Sequence, residues 1–483
     1  MLPTTEDFYR LAPVIVLCVS GMAVMLGEAF VPRAQRGRLA TLALLGGGAA
    51  LAAVGLAARH PGTAFSGLVV IDDFSLFLHF VVIGVALLAI LGSVDYLKRE
   101  NIHHGEYHAL ILLGSAGMIL MASAGELMVA FIGLEISSIS TYILAGYRRD
   151  VLKSNESAMK YFLLGSFATA FFLYGIALLY GATGTTQLER LGDAIGAGAG
   201  GSLVPLGLAM LFVGLAFKVA TVPFQIWTPD AYEGAPTPVA ALLSTAPKAA
   251  VLALLLRIFF TAFGEASDLW YWAIWISAAL TMCAGNLGAL VQSNVKRMLA
   301  YSSIAHAGYI FVALAARGEP GVAAILFYVV AYAMMKLGAF TVVAHLGGAA
   351  EQRVEISDYA GLGTRQPVTA ACFSLFLLSL LGLPLTAGFL GKFYVFQAAL
   401  ETHTPAMTWL VILAAVNTVI GAYYYLRVIV VMYMREPEQE WTPAPVPAGV
   451  GIVLFLTAAG TIYFGLFPGA VIEFASQSAL ALR

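Results

Sequence analysis

Long apolar runs separated by short polar gaps occupy nearly the whole chain. They fall near 10–30, 39–58, 72–94, 107–124, 126–147, 158–181, 203–228, 236–260, 270–291, 300–316, 321–345, 367–400, 406–434 and 446–468. A helix needs about 20 mostly apolar residues to span the hydrocarbon of a bilayer. The pattern therefore predicts fourteen spanning helices, an all-α polytopic membrane protein, with gaps too short for a soluble domain. Gly192 to Ser202, rich in Gly and Ala, is predicted as a surface connector. The stretch with Glu436-Pro437-Glu438 and Thr442-Pro443 is predicted as a loop between the last two spans.

Composition agrees. Of 483 residues, 60% are hydrophobic and 11% charged, against about 25% charged in soluble domains. Mean hydropathy is +0.87. A net charge of −2 offers no basic footprint for nucleic acid. The start, from Met1 to Asp7, is acidic and lacks the basic region of a cleavable signal, so the first apolar run is predicted to stay in the bilayer. Cys18, Cys283 and Cys372 each stand alone in an apolar run, without the spacing of a zinc or iron–sulfur site, and are predicted as small core residues.

The basic residues give an orientation. Thirteen fall in one set of loops: Arg33, Arg36, Arg38, Lys98, Arg99, Arg148, Arg149, Lys153, Lys296, Arg297, Arg353, Arg365 and Arg435. Five fall on the other side: Arg10, Arg59, Arg190, Arg317 and Arg483. The positive-inside rule puts the first set in the cytoplasm and both termini outside.

Seven more lie within spans: Lys160, Lys218, Lys248, Arg257, Lys336, Lys392 and Arg427. A charge at the centre of a spanning helix costs roughly 2.5–3.5 kcal/mol. Arg257 and Arg427 sit near span ends, where a long side chain can snorkel to the interface. Lys160 reads equally as an anchor or a functional group. Lys218, Lys248, Lys336 and Lys392 are flanked by apolar residues and read as functional. Burial disfavours an ammonium, so a lysine in such a place can trade its proton near neutral pH, whereas arginine stays charged. Glu135 is the acid deep in a span, and a buried lysine is its natural partner.

Two spans carry a proline beside such a lysine: Pro223 near Lys218, and Pro384 near Lys392. Proline removes a backbone donor, and lipid tolerates the freed groups only where they face protein, water or a cavity. Interrupted helices at matching places point to an ion site between repeats. The breaks fall in the seventh and twelfth spans, an odd interval, which predicts two inverted five-helix repeats. The expected organisation is a three-helix segment over 1–106, repeats over 107–260 and 261–434, and a final helix in 435–483.

Three motifs resemble the antiporter-like subunits of respiratory complex I, the proton-pumping NADH:quinone oxidoreductase: KSNESAMKYFLLGSF at 153–167, WTPDAYEGAPTP at 227–238 and GLPLTAGFLGKF at 382–393. SSIAHAG at 302–308 is similar to a tenth-helix motif of the wider family. The likeness runs from about residue 70 to 430, and the first motif and the length favour subunit N. The resemblance implies fourteen helices with a proton path through the membrane centre. By position, Glu135 is similar to the family's fifth-helix glutamate, paired with Lys218. Lys248 resembles its central lysine, Lys392 the terminal lysine, and His306 a tenth-helix position. Lys336 enters as a relay candidate on its own chemistry. The expected route enters near Lys218, passes Lys248, Lys336 and His306, and leaves past Lys392.

The resemblance also implies other complex I membrane subunits as partners and a bacterial inner-membrane location. No Gly-rich nucleotide loop and no flavin or iron–sulfur ligand set is expected on this chain, so NADH, FMN, the iron–sulfur clusters and quinone would sit on partner subunits. The competing readings are a cation/proton antiporter or membrane-bound hydrogenase subunit, a structural scaffold and a solute carrier.

Overall fold

The computed structural model describes residues 3–32, 35–437 and 444–482. Arg33 and Arg483 of the charge tally, and Glu438 and Thr442-Pro443 of the last loop, lie outside the described residues.

Among the described residues nineteen α-helices follow one another: α1 (Thr5–Phe30), α2 (Gly37–Ala57), α3 (Asp73–Arg99), α4 (Gly105–Ala122), α5 (Leu127–Ala145), α6 (Leu152–Thr183), α7 (Leu188–Gly196), α8 (Leu203–Val219), α9 (Trp227–Gly234), α10 (Thr237–Arg257), α11 (Asp268–Leu290), α12 (Val295–Ala315), α13 (Glu319–Leu346), α14 (Leu362–Arg365), α15 (Pro367–Leu381), α16 (Ala387–Leu400), α17 (Pro405–Met434), α18 (Ala448–Leu466) and α19 (Gly469–Leu480). Twelve are long and apolar enough to cross a membrane. Two more spans are the broken pairs α8/α9 and α15/α16, which completes the fourteen expected. A two-stranded antiparallel hairpin, β1 (Gly62–Ala64) and β2 (Val69–Ile71), links α2 to α3.

The breaks are inverted relative to each other. The long half α8 starts on the face opposite the basic loops, whereas the long half α15 starts on the basic face. Each long half ends on a left-handed residue, Ala220 (φ 68°) and Gly382 (φ 96°), so the chain turns out of the helix there. The freed backbone groups find partners, as lipid demands. Trp227 Nε1 donates to the Phe217 carbonyl at 2.8 Å, and the Val222 N–H donates to Thr281 Oγ1 at 2.9 Å. In the second break the Gly388 N–H donates to Ser379 Oγ at 3.1 Å.

Burial sorts the helices into two layers. In α10, α12 and α13, 94%, 94% and 89% of the apolar window is buried; in α1, α17 and α18 the shares are 22%, 28% and 28%. The central three carry Lys248, His306 and Lys336. The outer helices present Leu, Ile, Phe and Trp side chains outward, which suits contact with acyl chains.

Two expectations are corrected here. The predicted connector over Gly192 to Ser202 is helical over its first residues, as the end of α7, because Leu188 and Leu191 are buried. A Cβ on Gly192 would stand 2.7 Å from the Thr261 carbonyl oxygen, so glycine serves close packing there. Arg257 does not snorkel. It is 4% exposed and forks onto Asp72 at 3.0 and 2.9 Å, while its Nε donates to the Ala122 carbonyl.

Candidate functional site

Lys218 lies in the last turn of α8, just before the first break, and its ammonium turns toward α5. Nζ donates to the Tyr142 hydroxyl at 2.8 Å and lies over the rings of Tyr142 (4.6 Å) and Tyr161 (5.4 Å). Such cation–π contact partly replaces lost hydration. Trp227, the first residue of α9, stacks on Tyr161 at 4.3 Å and on Phe217 at 5.3 Å. The aromatic cage thus ties the short half-helix to the lysine.

The expected ion pair between Glu135 and Lys218 is not formed: among the described residues no salt bridge includes Glu135, and its Oε1 is buried without a hydrogen-bond partner. The hydroxyl and ring of Tyr142, on the same helix α5, and the ring of Tyr161 on α6 take the ammonium instead.

The second half of the site centres on two adjacent serines of α12. Lys248 Nζ donates to the Ser303 carbonyl at 2.9 Å and to Ser303 Oγ at 2.6 Å, and the Tyr332 hydroxyl reaches the same Oγ at 2.8 Å. Lys336 Nζ donates to the Leu299 carbonyl at 2.6 Å and to Ser302 Oγ at 3.0 Å. Ser302 Oγ is bonded to the Tyr425 hydroxyl. That hydroxyl lies 3.2 Å from His306 Nε2, and His306 Nδ1 lies 2.7 Å from the Tyr328 hydroxyl. Lys336, Ser302, Tyr425, His306 and Tyr328 therefore form one hydrogen-bonded file. Each hydroxyl in it can donate and accept at once.

Lys248 and Lys336 are not bonded to each other; they meet neighbouring serines. A cavity with about 10 Å³ open to the centre of a water molecule touches Lys248, Ser303 and His306. A second of about 10 Å³ touches Lys218, Thr141 and Tyr161. Each matches the roughly 10–15 Å³ that one water needs. Lys392, in α16, reaches back across the second break and donates to the carbonyls of Leu380 (3.2 Å) and Leu381 (2.8 Å). Its ammonium also lies 4.6 Å from the Tyr309 ring centre. Tyr309 packs against His306 with ring centres 5.8 Å apart.

Pro223 and Pro384 fall inside the two breaks, between α8 and α9 and between α15 and α16. Lys160 pairs with Glu156 at 2.7 Å and with Asp230 at 2.8 Å. Asp230 and Glu233, both on α9, also receive Arg297 of α12 at 2.7 and 2.8 Å. The half-helix is so clamped between α6 and α12. Arg427 Nη1 donates to the Gln292 carbonyl at 3.2 Å. Ser302, Ser303, Tyr142, Tyr328, Tyr332 and Tyr425 carry the connections and were not singled out from sequence.

The family model described as NADH:quinone oxidoreductase/Mrp antiporter, TM matches residues 124–421. NADH-quinone oxidoreductase subunit N 1 of Solibacter usitatus is 49% identical, covering 99% of this chain and 98% of the relative. Subunit N of Trichlorobacter lovleyi is 45% identical over 98% of this chain and 97% of its own. Among solved structures, a chain of the Thermus thermophilus respiratory complex I with bound aureothin superposes with a TM-score of 0.81 at 36% identity, covering 95% of this chain and 98% of that one. A chain of the Mrp complex from a Dietzia species superposes at 0.84 with 21% identity over 99% and 98%, which concerns the fold alone. Fold and buried lysines together define an antiporter-like membrane subunit of a respiratory complex. The chain belongs to the NADH-quinone oxidoreductase subunit N family.

Proposed function

We propose that this chain is the antiporter-like, proton-translocating membrane subunit N of a NADH:quinone oxidoreductase, with the relay residues as assigned below. The observation that carries the relay is the unbroken file from Lys336 through Ser302, Tyr425 and His306 to Tyr328, with Lys248 on the adjoining Ser303. Protons enter from the basic face, taken as cytoplasmic, near Lys218. They pass to Lys248, transfer along α12 to His306 and leave past Lys392. Glu135 lies near enough to modulate Lys218 when the first break moves, since an opposite charge stabilises an ammonium. The repeats span 107–260 and 261–434, so each contains one break and supplies part of the relay. NADH, FMN, iron–sulfur clusters and quinone belong to partner subunits.

Lys248→Ala and Lys392→Ala are expected to lower the number of protons pumped per NADH in sealed membrane vesicles, read by a pH-sensitive dye. A wild-type ratio in both variants would overturn the relay. Tagged purification in mild detergent should recover this chain in a large native-gel band that oxidises NADH; a small band without that activity would point to a different complex.

Tyr425→Phe removes one hydroxyl from the file and leaves Ser302 and His306 short of a partner. Each buried polar group left unpaired costs about 1–3 kcal/mol. The variant should assemble and oxidise NADH with a reduced pumping ratio, closer to wild type than Lys248→Ala. An unchanged ratio would show that the proton bypasses Tyr425.

A further inference from the structure

The relay reading leaves unused a buried ionic cluster on the basic face, in the loop between α13 and α14. Glu351 is its centre. Its carboxylate accepts from the Tyr96 hydroxyl of α3 at 2.7 Å. It also accepts from the N–H and hydroxyl of Thr237, the first residue of α10, at 2.7 and 2.6 Å. Lys296 of α12 donates to it at 2.8 Å, and Arg148 of the α5–α6 loop stands 3.4 Å away. The side chains of Lys296 and Glu351 are 1% and 8% exposed.

The loop backbone is bent to deliver this group. Ala350 and Glu351 are consecutive non-glycine residues in the left-handed region, at φ 57° and 54°. Such conformations persist only where surroundings enforce them, and they cluster at switches and functional sites. Here Glu100, at the end of α3, accepts from the Ala350 N–H at 3.1 Å and fixes the turn.

Geometry links the cluster to the relay. Lys296 and Leu299 are three residues apart on α12, neighbours on one helix face. Lys296 Nζ holds Glu351 and the Ala235 carbonyl; Lys336 Nζ holds the Leu299 carbonyl. Ala350 and Gln352 are exposed, so water reaches the residues on either side of Glu351. Lys296 thus ties Glu351 to the first turn of α12, and the next turn of the same helix supplies the Leu299 carbonyl that the fully buried Lys336 holds.

We propose that Glu351 is a positioning residue, a latch that holds the basic-face ends of α3, α10 and α12 together and closes a way from water to Lys336. The proposal rests on the reading of Lys336 as part of a proton relay. Burial opposes ionisation of Glu351, but the Lys296 charge and the bonds from Lys296, Thr237 and Tyr96 outweigh it and hold the carboxyl down at about 2. A carboxyl lowered in the folded state stabilises above its ordinary range and loses that contribution only as pH falls through its lowered value. The latch therefore stays charged throughout the neutral range, and it opens by movement of the loop, not by protonation.

The test uses the whole complex in sealed proteoliposomes without NADH. A pH step is imposed and its decay recorded. Glu351→Gln is expected to speed the decay several-fold, and E351Q/K336M to return it to the wild-type rate. Decay at the wild-type rate in Glu351→Gln overturns the latch. Fast decay that persists in E351Q/K336M overturns the route through Lys336, since a merely loosened fold leaks with or without that lysine. If Glu351→Gln fails to assemble, Y96F/T237V decides: it removes two hydroxyl ties and keeps the ion pair, and only faster decay in it supports the latch. Passive decay needs no pump stroke. Retained pumping in Lys248→Ala and Lys392→Ala would therefore sink the relay whatever the leak does.

Discussion

Gly388→Val is expected to remove most of the assembled complex from the membrane. Gly388 lies in the first turn of α16, against the last turn of α15 across the second break. A Cβ there would overlap the Ser379 carbonyl oxygen and stand 2.7 Å from its carbon. Both are backbone atoms, so no side-chain rotation relieves the clash. The two halves must separate, and the Gly388 N–H bond to Ser379 Oγ goes with them. One turn further along, Lys392 depends on the Leu380 and Leu381 carbonyls of α15 for its ammonium bonds. Overpacking costs about 1–3 kcal/mol, occasionally more. A hydrogen bond to a charged group contributes a further 1.5–3 kcal/mol or so. Native gels with immunodetection should show the complex band reduced at least several-fold. A band of wild-type abundance would mean that the break opens without penalty.

Much of this architecture is written in single residues. The apolar runs specify the spans because a segment in lipid has no alternative to an intact helix; each of the two exceptions holds a proline beside a deep lysine, whereas Pro13 sits inside an unbroken helix. Pro223 and Pro384 located the breaks, and the deep lysines beside them located the polar interior. The connecting groups are of another kind. Ser302 and Ser303 stand in the sequence only as part of the motif around His306, with nothing local to give them a role. Only the approach of α10 and α13 to one face of α12 makes them the meeting point of Lys248 and Lys336. Tyr425, 119 residues from His306, reaches it through tertiary packing that no local pattern encodes. Glu135 failed as a pairing prediction for a related reason: opposite charges suggest a pair, but Tyr142, two turns along the same helix, stands closer to the ammonium. Arg257 was misjudged because its acceptor, Asp72, is 185 residues away and also caps α3.

That last pair gives a prediction of comparable size. Arg257→Met should strongly shorten the thermal lifetime of NADH:quinone activity, and D72N/R257M should recover most of it. The two side chains are 5% and 16% exposed, so the pair is largely withdrawn from water. Removing one partner of such a pair costs about 3–5 kcal/mol, because the other charge is left buried alone; replacing both is often close to neutral. Asp72 also accepts from the Ser75 N–H at 2.8 Å as the N-cap of α3. Asn caps a helix as well as Asp does, so the double variant keeps that bond. If D72N/R257M were as labile as Arg257→Met, the guanidinium would matter for its bond to the Ala122 carbonyl and not for neutralising Asp72. The location gives the effect a functional side. Arg257 ends α10, the helix that carries Lys248, and Thr237 begins it. Asp72 holds one end and Glu351 the other. With both ends fixed, Lys248 stays within 2.6 Å of Ser303 Oγ. Arg257→Met should accordingly lower the pumping ratio even in the fraction that still assembles, whereas the double variant should restore ratio and lifetime together.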